Sequence, residues 1–325
     1  MSAPEPVVPG SVPASRRNDV VGVVMYLFAA LLFAANGSVA KALIGAGIDP
    51  AHVVSFRNAG AMVVIAIVML LRDRSGFRLR RQELPFLIVY GLVAFAIVQF
   101  LYVFTISRLN VGIGTLFAFL APVVVALWLR FGKKQSVNGR IWVAIALTIL
   151  GLILVAELWR GATLDTLGVL AGLATAIALS LYWLLGEAGQ RTRDPLSLTF
   201  WGFFFASIAW LFLAPWWTFP WDVVNDTVPS LAGVSVPVWV LLTWLVVMGA
   251  VVPFLLVLGS LSRIGSQRAG IVGSSEPVWA TMIAFVLLGE TISWVQAVGG
   301  LVVIAGILIA ETSRRAASHD VELGA

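Results

Sequence analysis

Between residues 20 and 311 the chain repeats one pattern, an apolar run long enough to cross a bilayer followed by a short link rich in Gly, Pro, Asp or Arg. The runs fall near 20–43, 51–71, 84–106, 111–131, 140–158, 166–187, 195–214, 237–259, 267–288 and 292–311. An α-helix rises about 1.5 Å per residue, so about 20 residues span a hydrocarbon core roughly 30 Å thick. The pattern predicts an all-α integral membrane protein of ten transmembrane helices. Links as short as Gly45-Ala46-Gly47-Ile48-Asp49-Pro50 end one helix and start the next, which makes sequential helices antiparallel neighbours.

Composition agrees, since 60% of the 325 residues are hydrophobic and only 11% are charged, against about a quarter charged in soluble domains. The net charge of +5 would suggest nucleic acid for a soluble protein, but here the basic residues sit in links between spans, where topology accounts for them. No nucleic-acid partner is expected. The absence of cysteine excludes disulfides and thiolate chemistry, and His52 and His319 have no plausible second ligand beside them, so neither a metal nor another cofactor is expected.

Lys and Arg stay on the cytoplasmic side of a bilayer. With both termini inside, 17 of the 21 basic residues fall on that side, and only Lys41, Arg57, Arg108 and Arg160 do not. The long link 215–236 carries Asp222, Asp226, Trp216, Trp217 and Trp221 but no basic residue, as expected of an outer loop with an interfacial aromatic belt. The expected location is the cell's inner (plasma) membrane, multi-pass. Residues 1–19 are rich in Pro, Ser and Ala and read as a disordered cytoplasmic tail, and 312–325 as a second tail. The apolar run after residue 19 shows no small-residue cleavage site and is expected to be retained.

Ser274-Ser275-Glu276-Pro277-Val278-Trp279 interrupts an otherwise apolar stretch. A carboxylate near the centre of a span costs roughly 2.5 to 3.5 kcal/mol on insertion scales, so it is expected to face protein or water. Pro277 removes a backbone N–H and crowds the carbonyl four residues earlier, so a kink is expected there.

Displacing the chain by 155 residues aligns Ser107-Arg108-Leu109 with Ser262-Arg263-Ile264, Pro122-Val123 with Pro277-Val278, and Ile149 and Gly151 with Ile304 and Gly306. This divides the chain into two five-helix repeats, 20–158 and 166–311. An odd number of crossings inverts the second copy, an arrangement typical of secondary transporters, whose substrate sits between the repeats near the midplane.

Over residues 20–312 the chain resembles the EamA-type branch of the drug/metabolite transporter superfamily. The likeness rests on Ser275-Glu276-Pro277-Val278-Trp279-Ala280, Phe285-Val286-Leu287-Leu288-Gly289-Glu290, Gly299-Gly300 and Gly306, with Pro122 and Gly151 in the first half. The first half reads Phe131-Gly132-Lys133-Lys134 where members often have Leu-Gly-Glu. Lys41 and Arg57 match positions where such proteins tend to be basic. The resemblance implies a ten-helix exporter working by alternating access around a central cavity, with substrates as diverse as amino acids, other metabolites, nucleotide sugars and drugs.

Candidate residues follow from burial of polar groups in apolar runs. Glu276 is a candidate proton-coupling carboxylate; its alternative role is to cap the broken backbone or pair with a base. Glu290, at a helix end beside Gly289, is expected to be structural, favoured by a helix N-terminus. Lys41 and Arg57 are candidates to hold a carboxylate or phosphate jointly, with snorkelling or pairing to Glu157 or Asp49 as the alternative. Asn36, Gln99, Tyr102, Tyr182, Trp183, Ser275 and Trp279 are candidate substrate contacts, Gln99 and Tyr102 sharing one helix face; packing and interhelical hydrogen bonds are the competing role. Pro122, Pro253 and Pro277, with neighbouring glycines, are candidate hinges.

Ser38-Val39-Ala40-Lys41 spells a nucleophile motif without its companion motifs, and no zinc-protease or phosphate-loop motif occurs, which disfavours an enzyme or ATP-driven transport. Gly168-Val169-Leu170-Ala171-Gly172 is expected to admit a close helix neighbour. The leading expectation is a secondary transporter exporting amino acids or related small metabolites across the lipid bilayer, with protons as the candidate coupling ion. A phosphorylated-metabolite or nucleotide-sugar exchanger is the nearest alternative and needs a cluster of bases; a membrane-embedded enzyme and a non-transporting scaffold are more remote.

Overall fold

A computed structural model describes residues 16–72, 74–132, 139–157 and 164–323. The helices are α1 (Arg16–Gly45), α2 (Pro50–Arg72), α3 (Leu84–Arg108), α4 (Val111–Gly132), α5 (Arg140–Ala156), α6 (Thr166–Gln190), α7 (Pro195–Leu213), α8 (Val238–Ile264), α9 (Ile271–Leu288) and α10 (Trp294–Leu323). Among the described residues, eight of these are long and apolar enough to cross a membrane; α5 and the apolar part of α10, Trp294–Ala310, are shorter. Large apolar side chains such as Leu71, Phe212 and Leu301 stand exposed on the outside of the bundle, as a lipid-facing surface requires.

The boundaries follow local chemistry. Asp165 caps α6 by accepting from Gly168 N at 2.7 Å, and Asp194 caps α7 by accepting from Leu196 N at 2.9 Å, with Pro195 in the first turn. Helix α1 ends at Gly47 with φ +94°: Gly47 N bonds Ile44 O at 3.0 Å and Ile48 N bonds Leu43 O at 3.2 Å, the Schellman closure that a residue with positive φ permits.

Two segments read as tails contain helix. Helix α1 begins at Arg16, inside 1–19, where Asp19 in its first turn accepts from Arg268 at 2.7 Å; a carboxylate is favourable at a helix N-terminus. The rest of that stretch, 1–15, lies outside the described residues. Helix α10 runs on to Leu323, into 312–325. A third difference lies between α8 and α9, where helical bonding continues from Val252 to Gly273. The chain nevertheless turns back there. Ile264 meets Gly22 and Gly273 meets Tyr26, whereas a straight helix would carry Gly273 about 13 Å further away. The link 215–236 forms two short 3-10 turns, Trp216–Thr218 and Trp221–Asn225, and a hairpin of β1 (Thr227–Leu231) and β2 (Val234–Pro237). Ala232 N bonds Leu287 O at 3.0 Å, fastening the hairpin to α9.

Irregularities inside the helices recur at the repeat spacing. Helix α3 contains a π turn at Gly91–Ile97 and α8 one at Val247–Val251; a shift of 155 carries the first onto 246–252. Helix α4 breaks at residues 119–120 and α9 at 274–275, each restarting with proline in the first turn, Pro122 and Pro277. The expected kinks are therefore present, two to three residues ahead of each proline, because a proline is tolerated in the first turn of a new helix but not inside an old one. A further π turn, Trp128–Gly132 at the end of α4, has no counterpart in α9.

Packing pairs the two halves symmetrically. Helix α1 lies along α8 and α6 along α3; α2 packs on α7, α4 on α9 and α5 on α10. Glycine makes several of these approaches possible. A Cβ on Gly151 would meet Val303 and the carbonyl of Gly299 at 2.6 and 2.7 Å, and one on Gly299 would meet Gly151 O at 2.8 Å. Gly168 and Gly172 open α6 to Leu109 and Phe117 in the same way, the close contact expected of that spacing.

Candidate functional site

Six helices contribute to one buried polar cluster. Asn36 (3% exposed) comes from α1, Arg57 (8%) and Asn58 from α2, and Gln99 (8%) with Tyr102 from α3. Thr115 on α4, the Gly249 carbonyl in the π turn of α8, and Glu276 at the break in α9 complete it.

The α2 residues set the geometry. Arg57 donates from Nη2 to Gly249 O at 2.9 Å, and Asn58 donates from Nδ2 to Phe95 O at 3.5 Å. Neighbouring side chains on one helix thus reach the carbonyls of the two π turns, one in each half of the chain. Helix α1 fits against the same point, because Gly249 has no side chain and the Asn36 amide occupies the place where a Cβ would stand. Tyr102 lies over Gly37, 2.6 Å from where a Cβ would be, and its hydroxyl is 3.0 Å from Thr115 Oγ1. Glu276 stands within electrostatic reach of Arg57 and Tyr102.

Several of these polar atoms are buried without a partner. Asn36 Oδ1, Asn58 Oδ1, Gln99 Oε1 and Arg57 Nε make no hydrogen bond among the described residues, and none of those residues donates to the Glu276 carboxylate. Native proteins leave few buried polar groups unpaired, because each costs about 1 to 3 kcal/mol. The cluster thus presents several acceptors and a guanidinium N–H that are free to pair with an added group.

On the side toward Gly45, Lys41 covers the cluster. Its ammonium contacts Glu290 Oε1 at 2.5 Å and donates to Leu109 O at 2.7 Å, and Glu290 also accepts from Val111 N at 2.7 Å. Glu290 thus serves the N-terminus of α4, not that of α10. Glu157 bonds Ser293 and Asp49 accepts from Ala51 N, so neither is the Lys41 partner. On the opposite side lies an aromatic layer. Phe95 contacts Tyr182 at 5.9 Å, Phe203 at 4.5 Å and Phe254 at 6.4 Å, and Phe33 meets Phe254 at 5.5 Å.

The candidates divide accordingly. The cluster unites Asn36, Arg57, Gln99, Tyr102 and Glu276. Trp279, one turn beyond Glu276, packs half-buried on the central core. Tyr182 belongs to the aromatic layer, while Trp183 makes no ring contact among the described residues. Ser275 donates to Val272 O at 2.6 Å, closing the preceding helix. Lys41 and Arg57 do not share a partner. Asn58, Thr115 and Gly249 are additions. The Arg57-Asn58 doublet in an apolar run signals the first, and Pro253, which has no amide to give the preceding turn, is the sequence mark nearest the last; nothing in the sequence marks Thr115.

A groove of about 630 Å³ lies between α2, α7 and α8, lined by Phe56, Gly60, Val63, Phe204, Leu211 and Val247 among others. It is apolar, carries no base or acid, and lies beside the polar cluster without including it. The convergence of unpaired polar atoms makes the cluster, and not this groove, the candidate site.

Comparison with known proteins agrees with this architecture. The model of the EamA-like transporter family matches twice, over residues 20–156 and 166–312. The chain belongs to the EamA-like transporter family. It is a multi-pass membrane protein made of two EamA repeats, whose boundaries bracket the repeat-spaced π turns and helix breaks. A protein of Archaeoglobus fulgidus described as an uncharacterized transporter is 27% identical over 228 residues, 67% of this chain and 75% of that protein. A solved crystal structure shares the fold with a TM-score of 0.56 at 18% identity, covering 92% of this chain and 99% of the other.

Proposed function

We propose that this EamA-family protein is a secondary transporter that exports amino acids or related small metabolites by alternating access, with the Arg57–Glu276 cluster as its substrate site. The observation that carries the reading is the juxtaposition of an arginine and a carboxylate, both inside the bundle, among unpaired amide oxygens at the contact between the two repeats. A guanidinium takes a carboxylate through its planar fork. An ammonium brings three donors to acceptors such as Glu276, Asn36 and Gln99. A zwitterion with a small side chain satisfies both needs.

Ten crossings, with both termini cytoplasmic and the second repeat inverted, fit the basic residues and the mutual packing of α4 on α9 and α5 on α10. In this reading the Lys41–Glu290 contact closes one face and the aromatic layer the other, and Pro122, Pro253 and Pro277 mark where helices bend as access alternates. Glu276 couples export to inward proton movement across the inner membrane. A phosphorylated substrate is less well served, because Lys41 is already paired and Arg57 is then the one base left in the cluster.

The test is proton-driven uptake into proteoliposomes. Glu276→Gln, which keeps an acceptor oxygen but loses the charge, is expected to abolish uptake driven by a pH gradient while substrate binding is weakened and not lost; undiminished gradient-driven flux removes Glu276 from coupling.

A further inference from the structure

The groove beside the polar cluster has the chemistry of a hydrocarbon site. Helix α2 forms its floor and α7 and α8 its walls, and its volume of about 630 Å³ falls within the roughly 300 to 1,000 Å³ of ligand sites. Ser207 and Thr243 supply the hydroxyls of its lining, and both are engaged within their own helices. Ser207 Oγ donates to Phe203 O at 2.7 Å and Thr243 Oγ1 to Trp239 O at 2.8 Å. Neither has a proton left for an occupant. At one end of the groove Trp216 stacks on Phe56, with ring centroids 6.0 Å apart.

Position and length select the occupant. The groove opens on the lipid-facing surface, since Val63, Ile208 and Leu211 in its lining are exposed. In a bilayer an empty groove would leave its lining atoms without dispersion partners, and acyl chains are the hydrocarbon at hand. Along α2 the groove runs from Phe56 to Val64, about 12 Å of helix. That is close to half of a hydrocarbon core roughly 30 Å thick. Trp216, of a residue type enriched at membrane interfaces, marks the end nearer Pro50. A helix from a second copy would need a seam along the whole span.

We propose that this groove is a binding site for one phospholipid acyl chain, taken from the leaflet on the Pro50 side, with the headgroup beside Trp216. The wall includes Val247, the first residue of the π turn whose Gly249 carbonyl accepts from Arg57, and the floor includes Phe56, next to Arg57. The bound chain thus packs behind the elements that position Arg57. The site stands whether or not the polar cluster binds amino acids.

The test uses the full chain reconstituted with phosphatidylglycerol that carries a photoreactive diazirine midway along one acyl chain. After illumination and proteolysis, adducts are expected to concentrate on Val63, Ile208 and Leu211 relative to Phe212 and Leu301, which are exposed outside the groove. Val63→Trp and Ile208→Trp each place a ring in the groove from an exposed position. Each should cut the groove adducts by about tenfold, the change expected when about two methylene groups lose their contacts, whereas Leu301→Trp should leave them unchanged. Adducts spread evenly over groove and outer surface mean passing boundary lipid and overturn the proposal. Cross-links between two protein chains through the groove, without lipid adducts there, make the occupant a second copy and overturn it as well.

A second readout needs no variant. Wild type extracted into mild detergent is expected to retain a phospholipid, seen by native mass spectrometry, through washes that strip boundary lipid. If both filling variants fail to fold, this retention decides together with the adduct positions in wild type, and a wild type that keeps no phospholipid overturns the proposal.

Discussion

Removing the charge of Lys41 tests how the two repeats are joined at one face of the bundle. Its ammonium lies 2.5 Å from Glu290 Oε1, with the two side chains 26% and 13% exposed. At that separation and an effective dielectric of about 20, the Coulomb attraction is about 7 kcal/mol before desolvation. Desolvation and side-chain ordering offset most of it, leaving a coupling of about 1.5 to 3 kcal/mol. Lys41→Met also strips Leu109 O of its donor and leaves Glu290 with Val111 N alone, so this single change should cost about 3 kcal/mol. Glu290→Gln keeps an acceptor for Val111 and should cost less. The assay is equilibrium unfolding in mixed detergent micelles, followed by tryptophan fluorescence, on wild type, both single variants and the double variant. A double variant about 2 kcal/mol more stable than the sum of the single losses is expected. Additivity within about 0.5 kcal/mol would refute the view that this contact is a partly buried ion pair linking α1 to the α9–α10 connection.

Other consequences are more local. Gly299→Leu forces a side chain into the carbonyl of Gly151, 2.8 Å from its Cβ, and should destabilise the α5–α10 seam by about 1 to 3 kcal/mol, read as a lower unfolding midpoint in detergent; an unchanged midpoint contradicts that packing. Gly249→Ala displaces the Asn36 amide and is expected to cut counterflow while the protein still folds, so wild-type flux would count against a tight α1–α8 contact at the site. Asp165→Ala removes the cap on Gly168 N and should cost about 1 kcal/mol, whereas Asp165→Asn should be nearly neutral; equal losses would point to the Arg108 contact at 3.3 Å instead.

The helices were legible because lipid imposes a length on apolar runs. The ends of α2, α3, α6 and α7 fall within a few residues of the hydropathy limits, where Pro, Asp and Gly punctuate the chain. The prolines also announced the breaks in α4 and α9. Hydropathy could not reveal that α1 starts at Arg16, because that turn is polar and gains its order from the Asp19–Arg268 contact across the fold. Nor could it find the π turn of α3, which no proline marks. In the site, polar residues in apolar runs stood out individually, and Arg57, Gln99, Tyr102 and Glu276 do converge. What the letters lacked was pairing. Lys41 looked equivalent to Arg57 until Glu290, more than 200 residues away in sequence, proved to hold it. Backbone acceptors such as Gly249 O carry no side-chain signature.

The most direct test of the central claim is counterflow of neutral amino acids in proteoliposomes containing wild type, Arg57→Gln and Lys41→Gln. If the Arg57 cluster is the substrate site, wild type exchanges at least one of these compounds saturably, Arg57→Gln loses that exchange, and Lys41→Gln retains affinity with an altered rate. Exchange by Arg57→Gln with wild-type affinity would contradict the account.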